Sequence, residues 1–151
     1  MKGVVALLSV FATLSCSAAL ADSSCPRTGG SNALGSPFPT SEHWYGTESF
    51  AVQLPPGGTW STTAPGALIA VKLFWWSAGF KPGMESNLSV ELRELNGAAA
   101  DAVVSRPTNA RAESLGGWTM LTGIDFPTAG CWEITGRYLG QELRFVVETR
   151  T

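Results

Sequence analysis

Short apolar runs separated by turn-forming residues recur along most of this chain. They occupy residues 49 to 54, 68 to 76 and 88 to 95, and each is followed by a turn signal that contains glycine. Runs of this length and spacing are typical of strands in a sandwich or barrel. The 17 glycines and 9 prolines fit many turns and few helices, and the only helix candidate is the Ala-rich stretch from 98 to 104. We therefore predict an all-β antiparallel β-sandwich over residues 40 to 151.

The best-specified element is a hairpin at the C-terminus. Apolar and polar residues alternate on both sides of Gly140-Gln141, and the apolar positions are Trp132, Ile134, Tyr138, Leu143, Phe145 and Val147. A tight turn at Gly140-Gln141 pairs Tyr138 with Leu143. It also lays Phe145 over Gly136, which leaves room for the ring. A slip by one residue would turn every apolar side chain to the wrong face, which favours this register.

The same register sets Arg137 opposite Arg144 on the outer face of the hairpin. Like charges in direct cross-strand pairs are unfavourable. We expect a carboxylate on a neighbouring strand to offset this pair, and the functional alternative is an anionic ligand or partner. Arg137 and Arg144 are therefore candidate binding residues.

The run from 68 to 76 has two apolar faces. Residues 69, 71, 73 and 75 form one face, and Phe74 and Trp76 end the other. If the first face belongs to the core, Phe74 and Trp76 lie outside, where aromatic area indicates a covering segment or a binding site. Residues 22 to 39 are rich in Ser, Gly and Pro, which is typical of an extended arm. We expect this arm to cover the two rings.

Residues 1 to 21 have the pattern of a cleaved signal peptide. Lys2 precedes an apolar stretch, and Ala19-Leu20-Ala21 supplies the small residues that signal peptidase recognises. The apolar stretch is too short to span a bilayer. We therefore expect a secreted or periplasmic protein. The residues before Cys16 also resemble a lipoprotein processing site, so the alternative is lipidation at Cys16, which would make the chain a membrane-tethered lipoprotein.

Two cysteines, Cys25 and Cys131, remain after cleavage at residue 21. An even number of cysteines in an exported chain favours a disulfide, and two cysteines allow a single pairing. Two free buried thiols are the alternative. Cys131 alternates with Trp132, so if Trp132 points into the core, the bridge holds the N-terminal arm against the outside of this strand. An immunoglobulin bridge joins the two sheets through the core instead.

Charge and motifs exclude most functional classes. The chain has ten basic and twelve acidic residues, which gives nucleic acids and anionic membranes no electrostatic reason to bind. No metal-ligand pattern, nucleotide-binding loop or nucleophile motif occurs, so we expect no metal, no cofactor and no catalytic residue. A serine hydrolase would have to use His43, the single histidine. A glycosidase-type pair of acids can be recognised only in the fold.

Six tryptophans in so small a domain favour a carbohydrate-binding interpretation, because the flat faces of sugar rings stack on aromatic rings. Trp75 and Trp132 fall at core positions, and Trp118 follows two glycines and opens a strand. The candidates for an exposed surface are Trp44, Trp60 and Trp76.

Three segments resemble a group of uncharacterised bacterial secreted proteins and lipoproteins. They are Lys72 to Trp76, Gly117 to Gly123 and, above all, the segment FPTAGCWEIT at residues 126 to 135. The resemblance implies an exported envelope protein with an immunoglobulin-like sandwich, and it implies no activity and no site.

The leading hypothesis is a non-enzymatic envelope module of immunoglobulin-like topology. It would bind another envelope protein through loops or through a surface formed by Phe74, Trp76, Arg137 and Arg144. The main alternative is a carbohydrate-binding module with coplanar exposed tryptophans and a polysaccharide as partner. A secreted hydrolase, or an inhibitor with an exposed loop at Gly116-Gly117-Trp118, is the third.

Overall fold

The computed structural model describes residues 24–30, 34–62, 68–97 and 101–151. The expected signal peptide, its cleavage site and the lipidation candidate Cys16 lie outside these residues. The expected N-terminal arm is described from residue 24 to 30 and again from residue 34.

Strands dominate the described chain, as the apolar pattern predicts. Their bounds are β1 (Trp44–Gly46), β2 (Phe50–Gln53), β3 (Thr59–Ser61), β4 (Ile69–Ser77), β5 (Ser89–Glu94), β6 (Val103–Val104), β7 (Thr108–Ala112), β8 (Gly117–Phe126), β9 (Gly130–Tyr138) and β10 (Gln141–Arg150). Two single-turn 3-10 helices, Pro56–Gly58 and Glu113–Leu115, accompany them. The three predicted apolar runs are β2, β4 and β5.

Two sheets build an all-β sandwich. The six-stranded sheet has the order β1-β2-β4-β8-β6, and β7 is also paired with β8. The four-stranded sheet has the order β3-β10-β9-β5. All these pairs are antiparallel except β3 with β10, which is parallel. The predicted sandwich is confirmed, and its assignment to the immunoglobulin class stays a prediction.

The core lies between the two sheets and is rich in aromatic rings. Trp75 of β4 stacks on Phe50 and packs against Phe145 from the opposite sheet, with ring centroids 5.9 and 5.7 Å apart. The indole nitrogen of Trp75 donates a hydrogen bond to Thr122 Oγ1 at 2.9 Å, which satisfies a polar group that would be costly to bury alone. As predicted, one face of β4 is core, because Leu73 and Trp75 are fully buried.

The helix candidate at 98 to 104 is wrong at its C-terminal end. Val103 and Val104 form β6, which pairs with residues 124 and 125 of β8. Two β-branched residues fit the edge of a sheet better than the end of a helix. Residues 98–100 lie outside the described chain.

Within the described ranges, no helix is long and apolar enough to cross a membrane.

The C-terminal hairpin forms, but the predicted register is wrong by two residues. The turn lies one residue earlier, at Leu139-Gly140, where both residues have positive φ. Leu143, rather than Phe145, is therefore opposite Gly136. Because the shift is an even number of residues, the same side chains still face the core.

Cys25 and Cys131 form the predicted disulfide, with their Cα atoms 5.5 Å apart. Trp132 belongs to the inter-sheet core, so Cys131 faces away from it. The arm continues along the side of β10 that faces away from β9, where Thr28 and Val146 exchange two hydrogen bonds of 2.8 and 2.9 Å. The bridge thus fastens the arm to the outside of the four-stranded sheet, as the alternation of Cys131 and Trp132 predicts.

Candidate functional site

The structure separates the residues that the sequence grouped into one surface. Phe74 and Trp76 lie on β4 and face outward from the six-stranded sheet, whereas Arg137 and Arg144 face outward from the four-stranded sheet. Since the two sheets pack face to face, the two pairs lie on opposite sides of the sandwich. A single surface made of these four residues is therefore wrong.

Trp44 is not an exposed binding residue. Its side chain is only 1% exposed, because Phe38 of the arm packs on it with ring centroids 5.2 Å apart. Phe38 also meets Trp76 edge-on at 5.0 Å. Leu34 and Leu115 complete this second apolar cluster. The expectation that the arm covers the outer rings of β4 is confirmed for Trp76, whereas Phe74 is only partly buried and lines a pocket.

Among the described tryptophans, no flat exposed platform is formed. Trp60 is half-buried and packs against Phe126 with ring centroids 6.0 Å apart. Trp118 opens β8 as predicted and is 37% exposed, but it stands apart from Trp44 and Trp76. The coplanar tryptophans required by the carbohydrate alternative are therefore absent from this part of the chain.

A pocket of about 220 Å³ opens beside the covered aromatic cluster. We call it the aromatic pocket; it is lined by Glu42, Trp44, Gln53, Phe74, Arg111, Ala112 and Ser114. Pairing of β1 with β2 sets Trp44 directly opposite Gln53 on the outer face. Pairing of β2 with β4 brings Phe74 to the same face. The pocket thus combines aromatic walls with a carboxylate and an amide.

The carboxylate of Glu42 is held in place by two donors. Trp44 Nε1 donates a hydrogen bond to Glu42 Oε2 at 2.8 Å, and Gln53 Nε2 donates to the same oxygen at 3.1 Å. No described side chain donates to Oε1. The geometry therefore fixes one carboxylate oxygen inside the protein and leaves its neighbour as an oriented acceptor.

Three larger depressions lack aromatic walls. One of about 570 Å³ lies beside the disulfide and includes Cys25, Cys131 and Arg150. A second of about 570 Å³ lies on the outer face of the four-stranded sheet. The third, of about 440 Å³, lies between residues 84–87 and 106–109. Of the four depressions, the aromatic pocket best matches a small-ligand site, which joins apolar walls to a few oriented polar groups.

The outer face of the four-stranded sheet carries a network of opposite charges. We call it the ionic face; its members are Glu91, Arg93, Glu133, Arg137, Glu142 and Arg144. Arg93 contacts Glu133 at 3.0 Å, and Arg144 contacts Glu142 at 3.3 Å. Three basic and three acidic groups balance one another, so the face offers an anion no net attraction.

The predicted pairing of Arg137 with Arg144 is wrong, because of the two-residue shift in the hairpin. Arg137 lies opposite Glu142 instead, and Arg144 lies opposite Thr135. Arg137 contacts Glu142 and, on the neighbouring strand β5, Glu91, both at 2.8 Å. The carboxylate expected on a neighbouring strand is therefore present, and Arg137 needs no external anion.

These contacts shift the ionisation of the exposed charges. Hydrogen bonds with Glu91 and Glu142 raise the pKa of Arg137, and the hydrogen bond from Arg137 lowers the pKa of Glu142. The hydrogen bond from Arg150 likewise lowers the pKa of Glu148. Each of these shifts favours the charged form of its side chain.

Within the described residues, His43 belongs to no hydrogen-bonded group of side chains. His43 precedes β1, and its side chain makes no hydrogen bond to a described residue; its Cβ packs toward Gly30 of the arm. The described chain also contains no group of three or more His, Cys, Asp or Glu side chains that could hold a metal ion. The features with the geometry of a binding site are therefore the aromatic pocket and the ionic face.

The sequence pattern does not single out Glu42 or Gln53, the two polar residues of the aromatic pocket. The available signal is the alternation along β2, which places Gln53 on the outer face together with Ala51. Comparison of the chain with protein-family models, curated proteins and solved structures finds no match.

Proposed function

We propose that this protein is an exported, non-enzymatic β-sandwich module that binds one sugar unit of a polysaccharide in the aromatic pocket. The observation that carries the proposal is the Glu42 carboxylate, which Trp44 and Gln53 hold beside the ring of Phe74. The Cys25–Cys131 disulfide supports export, because such bonds persist in oxidising compartments. A secreted or periplasmic location, after removal of residues 1–21, fits this role.

The chemistry of the aromatic pocket suits a neutral ligand rich in hydroxyl groups. A sugar ring has an apolar face that packs on an aromatic ring, and hydroxyl groups that donate to carboxylate and amide oxygens. Phe74 supplies the aromatic surface, Glu42 Oε1 a charged acceptor, and Ser114 and Arg111 lie at the same pocket. Hydrogen bonds to a charged acceptor are stronger than neutral ones, which favours Glu42 as the main determinant.

The size of the pocket limits the ligand to a single ring. Its volume of about 220 Å³ is below the roughly 300 to 1,000 Å³ typical of pockets for drug-sized ligands. A chain end or one protruding unit fits this space. An extended chain lying on a flat platform does not, and the burial of Trp44 removes such a platform.

Affinity electrophoresis and calorimetry with soluble β-glucan, xylan, mannan and chito-oligosaccharides test the proposal. We expect at least one of these to bind, and Glu42→Ala to weaken it about tenfold or more, because it removes hydrogen bonds to a charged group. The matched control is Glu113→Ala, since Glu113 is an exposed acidic residue that does not line the pocket. Thermal unfolding of both variants confirms that they are folded. No binding to the whole panel, or equal binding by Glu42→Ala and wild type, would overturn the proposal.

A further inference from the structure

Strand β5 ends the four-stranded sheet and has one unpaired edge. Its inner side pairs with β9, and no described strand lies on the other side. Just beyond the strand, Leu95 N donates a hydrogen bond to Cys131 O at 2.7 Å. This bond shows which residues of β5 direct their backbone hydrogen-bonding groups toward β9. Because bonding alternates along an antiparallel strand, Val90, Leu92 and Glu94 direct their backbone N–H and C=O groups toward the free edge.

The exposed side chains on this edge carry opposite charges two residues apart. Glu91 and Arg93 flank Leu92 and face the same side as the rest of the ionic face. Their side chains are 64% and 67% exposed, more than any other side chain in an ion pair of the described chain. Each has an intramolecular partner, Arg137 and Glu133 respectively, yet both retain most of their surface.

We propose that β5 binds the β5 strand of a second copy of this chain, antiparallel, with Leu92 on the two-fold axis. In this register Leu92 meets Leu92 of the other copy, and the outward backbone groups of both strands form hydrogen bonds. Glu91 of each copy then lies directly opposite Arg93 of the other. Two opposite-charge pairs therefore form across the interface, each a stabilising cross-strand contact.

Charge complementarity selects this register over its neighbours. A shift of one step in either direction sets Glu91 opposite Glu91 or Arg93 opposite Arg93, both of which are repulsive. A shift of two steps leaves neither charge opposite its complement. A partner that adds to a sheet edge gains affinity from the backbone and selectivity from its side chains, and a second copy of β5 supplies both.

The pairing joins two four-stranded sheets into one continuous sheet. Because the two-fold axis is perpendicular to the sheet, both ionic faces lie on the same side and form one extended surface. The inference is independent of the proposed sugar site, which lies on the other sheet, and either can fail alone. It also covers the open edge of β5, which would otherwise be a site for unspecific strand addition.

Two single variants and their mixture test the inference. Glu91→Arg places Arg opposite Arg93, and Arg93→Glu places Glu opposite Glu91, so each variant alone should dimerise about tenfold more weakly than wild type. Mixed in equal amounts, the two variants regain both complementary pairs and should form a heterodimer with wild-type affinity. Each substitution also removes an ion pair within its own copy, either Glu91 with Arg137 or Arg93 with Glu133. These ion pairs are still missing in the mixture, so they cannot explain a recovery of dimerisation.

Sedimentation equilibrium of the chain without residues 1–21 measures these dimers, and native mass spectrometry with one isotope-labelled variant identifies the heterodimer. Glu113→Arg and Arg106→Glu, at two exposed residues outside β5, make the same charge changes and should leave dimerisation unchanged. A wild-type protein that stays monomeric at the highest concentrations, a mixture without rescue, or controls that weaken the dimer equally would each overturn the inference.

The register has its own test. Residues 91 and 93 of opposite copies form a pair without backbone hydrogen bonds, with Cα atoms about 4.5 Å apart. Glu91→Cys mixed with Arg93→Cys should therefore form an intermolecular disulfide, whereas each variant alone should not. Crosslinking of Glu91→Cys with itself at an equal rate would contradict this register and the proposed pairing.

Discussion

A glycine on one sheet of the core fits closely against a tryptophan ring of the other sheet. Gly136 lies on the inner face of β9, and an added Cβ would be only 2.3 Å from Cζ3 of Trp75. Trp75 is completely buried, and its hydrogen bond to Thr122 fixes the ring. An added methyl group at Gly136 would therefore overlap this ring. Gly136 is therefore required by the opposite sheet and not by the conformation of its own strand.

We expect Gly136→Ala to lower the free energy of unfolding by about 1–3 kcal/mol or more, as overpacking does in cores. Urea unfolding followed by tryptophan fluorescence measures the change. The control is Gly117→Ala, where the nearest atom to the added Cβ is 3.8 Å away. That substitution should stay within about 0.5 kcal/mol of wild type. Equal effects of the two substitutions would contradict the role assigned to Trp75.

At the scale of elements, one tight turn sets the geometry of the C-terminal hairpin. Leu139 has φ 48° and Gly140 has φ 76°, the left-handed pair that two-residue hairpin turns of type I′ require. Leucine in this conformation costs roughly 1–2 kcal/mol, because its Cβ crowds the backbone. The Leu139 side chain is 62% exposed, so its packing offsets little of this conformational strain. The pairing of β9 with β10 holds this strained turn in place.

Leu139→Asn should therefore stabilise the protein by roughly 0.5–1 kcal/mol, because Asn-Gly is the preferred pair in such turns. The urea midpoint should rise while the slope of the unfolding transition stays constant. Gly140→Ala is the opposite control and should lower the midpoint, since alanine also disfavours positive φ. A lower midpoint for Leu139→Asn would show that packing of the leucine outweighs the strain of its backbone.

At the scale of the whole molecule, the N-terminal arm connects both outer faces of the sandwich. Cys25 fastens it to β9, Thr28 bonds to β10, and Phe38 packs over the aromatic face of the other sheet. The disulfide closes a loop with a sequence separation of 106 residues. A loop of this length restricts the unfolded chain strongly, so its contribution to stability is large.

Replacing both Cys25 and Cys131 by serine should cost about 4–5 kcal/mol of unfolding free energy in the chain-entropy model. Guanidinium unfolding of wild type and the double variant measures the loss, and wild type under reducing conditions should give a similar value. Domains of this kind have only about 5–15 kcal/mol in total, so the variant should be barely stable. A loss below about 1 kcal/mol would mean that the arm's other contacts suffice.

For β2, β4, β5 and the C-terminal hairpin, the sequence alone determined which residues form strands and which way their side chains point. Alternation with period two defines the two faces of β4 and of the C-terminal hairpin, and this information survives an even shift in register. The same alternation placed Cys131 outside the core and so predicted where the disulfide holds the arm. These features are local, because each depends only on neighbours within one strand.

The tertiary structure alone decided which faces meet. Long-range pairing assigns β4 to one sheet and β9 with β10 to the other, which separates Phe74 and Trp76 from Arg137 and Arg144. The left-handed turn at residues 139 and 140, which the local sequence does not specify, sets the register of β9 and β10. In this register Arg137 forms a salt bridge with Glu142 and does not lie opposite Arg144. Glu42 and Gln53 meet only because the β1–β2 hairpin folds back. Contacts between strands that are distant in sequence produce no periodic pattern in the sequence, so the aromatic pocket could be recognised only in the folded structure.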